Sequence, residues 1–385
     1  MNPPHRGRVF FYVQHLLGVG HQARAAAITR ALQRQGMHVI YVSGGFAETR
    51  HDLGGAEFIQ LPPVRAADAT FGTMIDASGQ PIDAAWENHR RDALLAAFRN
   101  AQPDALLIES FPFGRRRFRF ELLPLLETAT KHVPVAASVR DILVAKKDPK
   151  RTQWIVDTVR EFFNMVIVHG DPQITELGDS FDGAAAFSER IQYSGYVAPP
   201  AMRDFDEERS GVVVSAGGGA VGGPLLHGSL AARPLSRLSR AHWRLITGPN
   251  LPKSDREALK LPPGVTVDTY RKDFRSILCN VALSVSQAGY NTVMDLFTTR
   301  TRSVLVPFSR HGETEQSHRA ALLSRRGGFQ VVAENNLTPT VLAAAIDAAI
   351  DAPPPDPSKI DLNGATRTAE LMAELATGRP FPSRL

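Results

Sequence analysis

Three turns carry the residues best suited to chemistry in this chain. The first is His15-Leu16-Leu17-Gly18-Val19-Gly20-His21, which ends an apolar run and leads at Gln22 into a segment of helical spacing. Gly18 and Gly20 free the backbone to bend and bring amide N–H groups and a helix N-terminus toward an anion or a developing charge. His21, with an ordinary imidazole pKa near ~6.5, is the proton acceptor of first choice on that turn. The positive dipole end beside it disfavours imidazolium and keeps the ring neutral. The plainer reading of His21 is a ring that packs or caps its loop. Glu109 in Glu109-Ser110-Phe111 and Asp141 in Ser138-Val139-Arg140-Asp141 follow later apolar runs. Ligands of open α/β sheets bind beyond strand ends, so both are reserve candidates for a base.

The second turn is Ser215-Ala216-Gly217-Gly218-Gly219-Ala220-Val221-Gly222-Gly223. Five glycines in the seven positions 217–223 exceed what a simple turn needs and favour close approach of backbone to a phosphate. No Gly-Lys-Ser or Gly-Lys-Thr follows, which excludes a P-loop ATPase. The third is Ser284-Val285-Ser286-Gln287-Ala288-Gly289-Tyr290-Asn291-Thr292-Val293-Met294-Asp295, a buried strand, a small-residue turn and a helix start with Asn291 or Thr292 as its cap. Asp295 falls about one turn into that helix, where its carboxylate can accept two hydroxyl hydrogen bonds from a ribose diol. An exposed capping carboxylate is the plainer alternative. Gly18-Val19-Gly20-His21-Gln22-Ala23 also fits a dinucleotide loop, but the next apolar run ends in Val42-Ser43-Gly44-Gly45, without the acidic residue that NAD requires.

The elements that must position these turns follow an alternating pattern. Short runs rich in Val, Ile and Phe at 8–14, 37–43, 105–109, 133–138 and 165–169 predict strands covered on both faces. Helical spacing fills 22–35, 84–100, 119–130 and 151–163. The alternation resumes with strands at 211–216, 243–247, 265–269, 281–285 and 303–307. The expected organisation is an α/β chain with a first domain over 1–198, a linker over 199–210, a second domain over 211–352 and a tail over 353–385 that carries a last helix at 365–376. The stretch 62–81 shows little strand or helix pattern.

At these residues the sequence resembles the GT-B glycosyltransferases, in particular the family 28 and MurG type. The resemblance rests on Ser286 to Asp295, then Val304-Leu305-Val306-Pro307-Phe308, then Glu315-Gln316. In that family a turn of this kind, here Ser286, Gln287, Ala288 and Gly289 with Asn291 and Thr292, receives the diphosphate of a nucleotide sugar. An acidic residue on the helix holds the ribose; Asp295 stands where the family usually has Glu. The pair at Glu315 and Gln316 contacts the donor sugar. Tyr270-Arg271-Lys272-Asp273-Phe274 resembles the segment whose backbone reads the base, and the loop containing Gly217, Gly218 and Gly219 joins the donor set. Gly18-Val19-Gly20-His21 resembles the acceptor-side loop. The resemblance implies two Rossmann-like domains facing across a cleft, a final helix crossing back to the first domain, and transfer of a sugar, from UDP by first expectation, to a hydroxyl acceptor with inversion and without a metal or other cofactor. It covers nearly the whole chain in element order and is specific only in the second half.

Composition narrows the rest. Of 385 residues 43% are hydrophobic and 22% charged, which excludes disordered, collagen-like and disulfide-scaffold classes. A single cysteine, Cys279, excludes an intramolecular disulfide and a Cys-rich zinc site. No apolar run approaches the ~18 residues of a membrane span, so a cytoplasmic location is expected, with the inner face of the membrane as an option for a lipid-linked acceptor. The net charge of +5 suits anionic partners. Arg115-Arg116-Arg117-Phe118-Arg119 reads first as a solvated helix start and second as a site for an anionic acceptor or lipid headgroups. No nucleic-acid motif accompanies it. His311 and His318 lack partnered zinc spacing. A nucleotide-sugar hydrolase or 2-epimerase and a non-catalytic nucleotide-sugar binder are the rival readings.

Overall fold

The structure is a computed structural model that describes residues 7–16, 20–46, 52–67, 72–144, 148–202, 208–218, 221–310 and 313–378. The chain divides into two compact units, Met1–Val197 with Asn363–Leu385, and Ala198–Leu362.

The first unit runs β1 (Arg8–Val13), α1 (Gly20–Arg34), β2 (His38–Ser43), β3 (Glu57–Gln60), β4 (Arg65–Ala66), β5 (Met74–Ile75), α2 (Ala84–Ala101), β6 (Ala105–Glu109), α3 (Arg119–Ala129), β7 (Val135–Arg140), α4 (Pro149–Phe162), β8 (Met165–His169) and β9 (Ile191–Tyr193). Seven strands form one sheet in the order β3-β2-β1-β6-β7-β8-β9, and every pairing in it is parallel. The apolar strings explain this arrangement. Successive side chains of a strand face opposite ways, so Phe10, Tyr12, Leu106 and Ile108 enter one core while Val9, Phe11, Val13, Ala105 and Leu107 enter the other.

The second unit repeats the plan with β10 (Val212–Ser215), α5 (Gly223–Ala232), β11 (Trp243–Ile246), α6 (Lys253–Glu257), β12 (Val265–Asp268), α7 (Phe274–Asn280), β13 (Leu283–Ser286), α8 (Tyr290–Thr299), β14 (Ser303–Leu305), α9 (Glu315–Ser324), β15 (Phe329–Val331) and α10 (Pro339–Asp351). Its six strands are ordered β12-β11-β10-β13-β14-β15, again all parallel. The last helix, α11 (Gly364–Thr377), belongs to the first unit, where Ala369, Leu371 and Met372 share a core with Ala25, Ile28 and Leu32 of α1.

The structure differs from the sequence expectation in four places. Three strands, β3, β9 and β15, lie at sheet edges where one neighbour is missing, and their short, half-exposed runs give no apolar string. The stretch 62–81 contains the antiparallel pair β4–β5, whose Ala66 and Met74 join the core; residues 68–71 lie outside the described ones. The described ends of the segment expected as the linker are tied to the second unit, since Met202 N–H donates to Thr298 O at 3.2 Å and Arg209 donates to the carbonyls of Thr299 and Arg300 at 2.9 Å. The return to the first unit falls at Leu362 and Asn363, later than the expected 353, because Ala352 and Pro355 pack on Arg302 and Gly328 of the second unit. There Gly364 N–H donates to Tyr196 O at 3.0 Å, an approach too close to admit a Cβ at position 364.

Candidate functional site

In both sheets the strand order reverses once, between β1 and β6 and between β10 and β13. Ligand crevices of open α/β sheets open at such points, beyond the carboxyl ends of the strands. The turns singled out in the sequence leave the sheets there.

In the first unit α1 begins at Gly20, two residues earlier than the sequence suggested, so His21 sits in the first turn of the helix. Gly18 lies outside the described residues. Glu109 ends β6, the strand on the other side of the reversal. The His21 Nδ1 is 2.9 Å from Glu109 Oε1, with 21% of the His21 side chain exposed and Glu109 fully buried. Arg24, one helical turn after His21, pairs with the same carboxylate oxygen. Ser110 Oγ donates to Oε1 at 3.2 Å and Ser138 Oγ to Oε2 at 2.7 Å.

The charge states follow from this shell. Burial pushes the Glu109 carboxyl up, but Arg24 and the donors of His21 and Ser138 outweigh it and hold the group below the usual carboxylate range. Burial, joined by the guanidinium of Arg115, lowers His21 to about 3 against the pull of Glu109. A carboxylate can only accept, so the His21 Nδ1 carries the proton and Nε2 holds the free lone pair. A neutral imidazole with an oriented tautomer is what a general base requires. Glu109, named in the sequence as a reserve candidate base, is thereby a hydrogen-bond partner of His21. Asp141 is buried in the turn after β7, packed so closely on Gly170 that a Cβ there would collide with it.

The loop after β1 is braced from beneath. Arg115 Nε donates to Gln14 O at 2.7 Å. The buried Arg90 forks onto Glu121 at 2.8 and 2.9 Å, reaches Gln14 Oε1 at 2.5 Å, and donates to the carbonyls of Gly44 and Pro62 at 2.7 Å. Three arginines of the cluster have partners within the first unit, while Arg117 and Arg119 are exposed. Arg115 holds the β1 loop, Arg116 lies over the Trp154 ring at 5.5 Å, and Arg117 pairs with Glu87 at 3.4 Å.

In the second unit Gly217 adopts φ +70° in the turn after β10, and Asn250 Nδ2 donates to Gly218 O at 2.6 Å. Gly219 lies outside the described residues. Gly248, at φ +79°, passes under the carbonyl of Gly217, where a Cβ would collide. Ser286 at the end of β13 and Gln287 and Ala288 after it are buried, and Ser286 Oγ has no hydrogen-bond partner. The expected cap on α8 is corrected: Gly289 is its N-cap, while Asn291 and Thr292 lie inside the first turn. Gly289 offers no capping side chain, which suits a helix N-terminus that receives an anion.

Arg319 fastens this turn to α9. It donates from Nη1 to Ala288 O at 3.2 Å and from Nη2 to Glu315 Oε1 at 2.7 Å, and its guanidinium lies 5.5 Å from the Tyr290 ring centre. Both members of the ion pair are buried. Glu315 therefore faces Arg319, whereas Gln316 Oε1 accepts from Phe308 N–H at 3.1 Å. On α8 Asp295 lies 3.5 Å from Arg275 of α7, and burial raises its carboxyl to about 7 against the pull of Arg275. Arg271 forks onto Asp273 at 2.8 and 2.6 Å. Among the described residues no group of three or more His, Cys, Asp or Glu could hold a metal ion.

Sequence reasoning missed Arg24, Ser138, His169, Arg275 and Arg319. The i, i+3 spacing of His21 to Arg24 and the i, i+4 spacing of Glu315 to Arg319 were legible as shared helix faces. The contacts of Ser138 and His169 with strands 29 to 31 residues away carry no local signal.

Two doubly wound parallel sheets, each with a candidate ligand turn at its reversal, are the make-up of the GT-B fold. Over 97% of its length the chain superposes on the calicheamicin glycosyltransferase CalG4 (TM-score 0.60, 16% identity, 96% of that chain). It also superposes on MurG from Acinetobacter baumannii over 96% of its length (TM-score 0.56, 13% identity, 99% of that chain). Residues 218–372 match the glycosyltransferase family 28 C-terminal domain, and the chain has the GT-B fold. A curated relative from Rhizobium leguminosarum, UDP-N-acetylglucosamine--N-acetylmuramyl-(pentapeptide) pyrophosphoryl-undecaprenol N-acetylglucosamine transferase, is 28% identical over 123 residues, 30% of this chain and 32% of the relative. The chain spans about a third of the length of the first curated relatives it matches.

Proposed function

We propose that this protein is a nucleotide-sugar-dependent glycosyltransferase acting on a hydroxyl acceptor. The observation that carries the reading is the turn Ser286 to Gly289 leading into the N-terminus of α8, inside the region that matches the family 28 domain. Backbone N–H groups and the dipole of α8 favour the diphosphate and stabilise it as it departs. Gly217 and Gly218 let the β10 turn approach the same group. Asp295 accepts from the ribose, Gln316 and the segment of Arg271 complete the donor set, and Glu315 serves it through Arg319.

On the first unit His21 Nε2 takes the proton of the acceptor hydroxyl. The freed oxygen attacks the anomeric carbon as its bond to the diphosphate oxygen breaks, which inverts that centre. Glu109, fixed by Arg24 and Ser138, orients the ring and stabilises the imidazolium that forms. The printed activities of the curated relatives support UDP-N-acetylglucosamine as the first donor to test and a lipid-linked acceptor, used at the inner face of the membrane. No helix among the described residues is long and apolar enough to cross a membrane.

Incubation with radiolabelled UDP, GDP, ADP and dTDP sugars tests the reading. Transfer of label to an acceptor supports it, whereas release of free sugar or of an epimer as the sole product, or binding without turnover, overturns it.

A further inference from the structure

The Glu109 carboxylate is the end of a longer buried chain whose members beyond Ser138 have no part in the donor or acceptor chemistry. Ser138 Oγ stands between Glu109 Oε2, at 2.7 Å, and His169 Nε2, at 2.8 Å. The other ring nitrogen of His169 is 2.9 Å from Ser194 Oγ. Ser138, His169 and Ser194 are buried, and they come from β7, the end of β8 and the segment after β9. From Glu109 the chain therefore crosses four neighbouring strands, β6 to β9, at the carboxyl edge of the sheet.

Its hydrogen-bond directions are fixed by one end. An ionised Glu109 can only accept, so Ser138 must spend its single proton on Oε2. Ser138 Oγ can then only accept from His169, which places the ring proton of His169 on Nε2. The unprotonated Nδ1 in turn faces Ser194 Oγ, whose single proton it shares with the Gly195 carbonyl, also 2.9 Å away. In the assigned tautomer the shortfall falls on Ser194 Oγ, which has a neutral carbonyl as its other acceptor, whereas with the opposite tautomer Ser138 Oγ, its proton held by the ionised Glu109, would meet an unprotonated Nε2 lone pair to lone pair at 2.8 Å. Such an unmade bond in a buried network is costly.

We propose that His169, acting through Ser138, is a positioning residue for the His21 base: it holds Glu109 as a single-orientation acceptor and so fixes the His21 ring as the Nδ1–H tautomer. This rests on the reading of His21 as the base, but the geometry can be measured without substrate. The readout is the ring-nitrogen tautomer of each histidine, from long-range proton–nitrogen correlation spectra of the intact chain at pH 7, with His21→Ala and His169→Gln spectra giving the assignments.

The expected result in the unmodified protein is at least a tenfold excess of Nε2–H at His169 and of Nδ1–H at His21. His169→Phe, which keeps a ring but loses both polar atoms, should cut the His21 excess at least threefold. Ser138→Ala should do the same. His169→Gln, whose amide can still donate to Ser138, should retain the excess, and unchanged melting midpoints of His169→Gln and Ser138→Ala show that any change at His21 is not unfolding. A His169 ring found as Nδ1–H or as imidazolium overturns the proposal, as does a His21 ratio unchanged in folded Ser138→Ala. If His21→Ala keeps full turnover with the best labelled donor, the base reading fails separately, with the tautomer result unaffected.

Discussion

The Nδ1 of His21 and the Oε1 of Glu109 lie 2.9 Å apart across the point where the first sheet reverses its strand order, one residue in the first turn of α1 and the other at the end of β6. Eighty-eight residues of chain separate them. On the proposed mechanism His21→Ala lowers turnover by about 10² to 10⁴, the usual contribution of a positioned base, and leaves nucleotide affinity unchanged. Glu109→Gln keeps the shape but strands the Arg24 charge, so it should lower turnover and cost about 3 kcal/mol or more of stability. Single-turnover rates and denaturant titrations check both. Retention of more than about a third of the turnover by His21→Ala, far short of that range, would transfer the role to Asp141.

Asp295 supplies a pH dependence. A carboxyl held at about 7 must ionise before it can accept from both hydroxyls of a ribose. If only the ionised form binds, nucleotide affinity should tighten roughly tenfold between pH 6 and pH 8. Asp295→Asn should bind more weakly at pH 8, by about 1 to 3 kcal/mol, and show a flat profile. Calorimetric titration with UDP, GDP, ADP and dTDP at the two pH values measures this, and parallel profiles for the two proteins would remove Asp295 from the donor set.

Acid stability has a sign that the buried histidines set. Burial lowers His169 to about 3, with Arg24 adding to it and Glu109 opposing. The unfolded chain, with the ring near ~6.5, then binds more protons than the folded one, so stability is present above pH 6.5 and is lost as the pH falls toward 3. His21 works in the same direction. Asp295 opposes both between about pH 4 and 7, because its folded carboxyl is raised and the folded state holds the extra proton. His169→Gln should therefore flatten the acid limb of the melting-temperature profile, whereas Asp295→Asn should steepen it.

Arg319 of α9, held in a buried ion pair with Glu315 of the same helix, reaches the turn after β13 through its hydrogen bond to Ala288 O. Arg319→Met leaves Glu315 buried without its cation, which should cost about 3 to 5 kcal/mol. Arg319→Met combined with Glu315→Leu removes both charges and should recover most of that loss. Nucleotide binding should stay impaired in the double variant, since the Ala288 carbonyl has lost its donor. Full recovery of affinity would show that the brace serves stability alone.

Turnover should be independent of a divalent cation. On the proposed mechanism the N-terminus of α8 and the turn after β10 provide the N–H partners of the departing diphosphate. Equal rates in EDTA and in Mn²⁺ are the expected outcome; loss of turnover in EDTA with restoration by Mn²⁺ would assign the leaving group to an ion.

The sequence by itself determined the two repeats of parallel strands and crossover helices, because a strand covered on both faces must be apolar along its whole length, as Val9 to Val13 and Val212 to Val214 are. It also marked the turns at Gly217 and Ser286, since small residues there are a local requirement of a backbone that must bend sharply or approach a ligand. Tertiary structure decided what each charged side chain does. Glu315 and Asp295 stand in one stretch of sequence with similar local signals, yet Glu315 turns into an ion pair with Arg319 and Asp295 is held near neutrality beside Arg275. Glu109 became the partner of His21 only because β6 pairs with β1, and His169 entered the same chain only because β8 lies beside β7. Burial and pairing depend on which strands become neighbours, and strand order is set by the global packing of helices on the sheet, which no window of sequence contains.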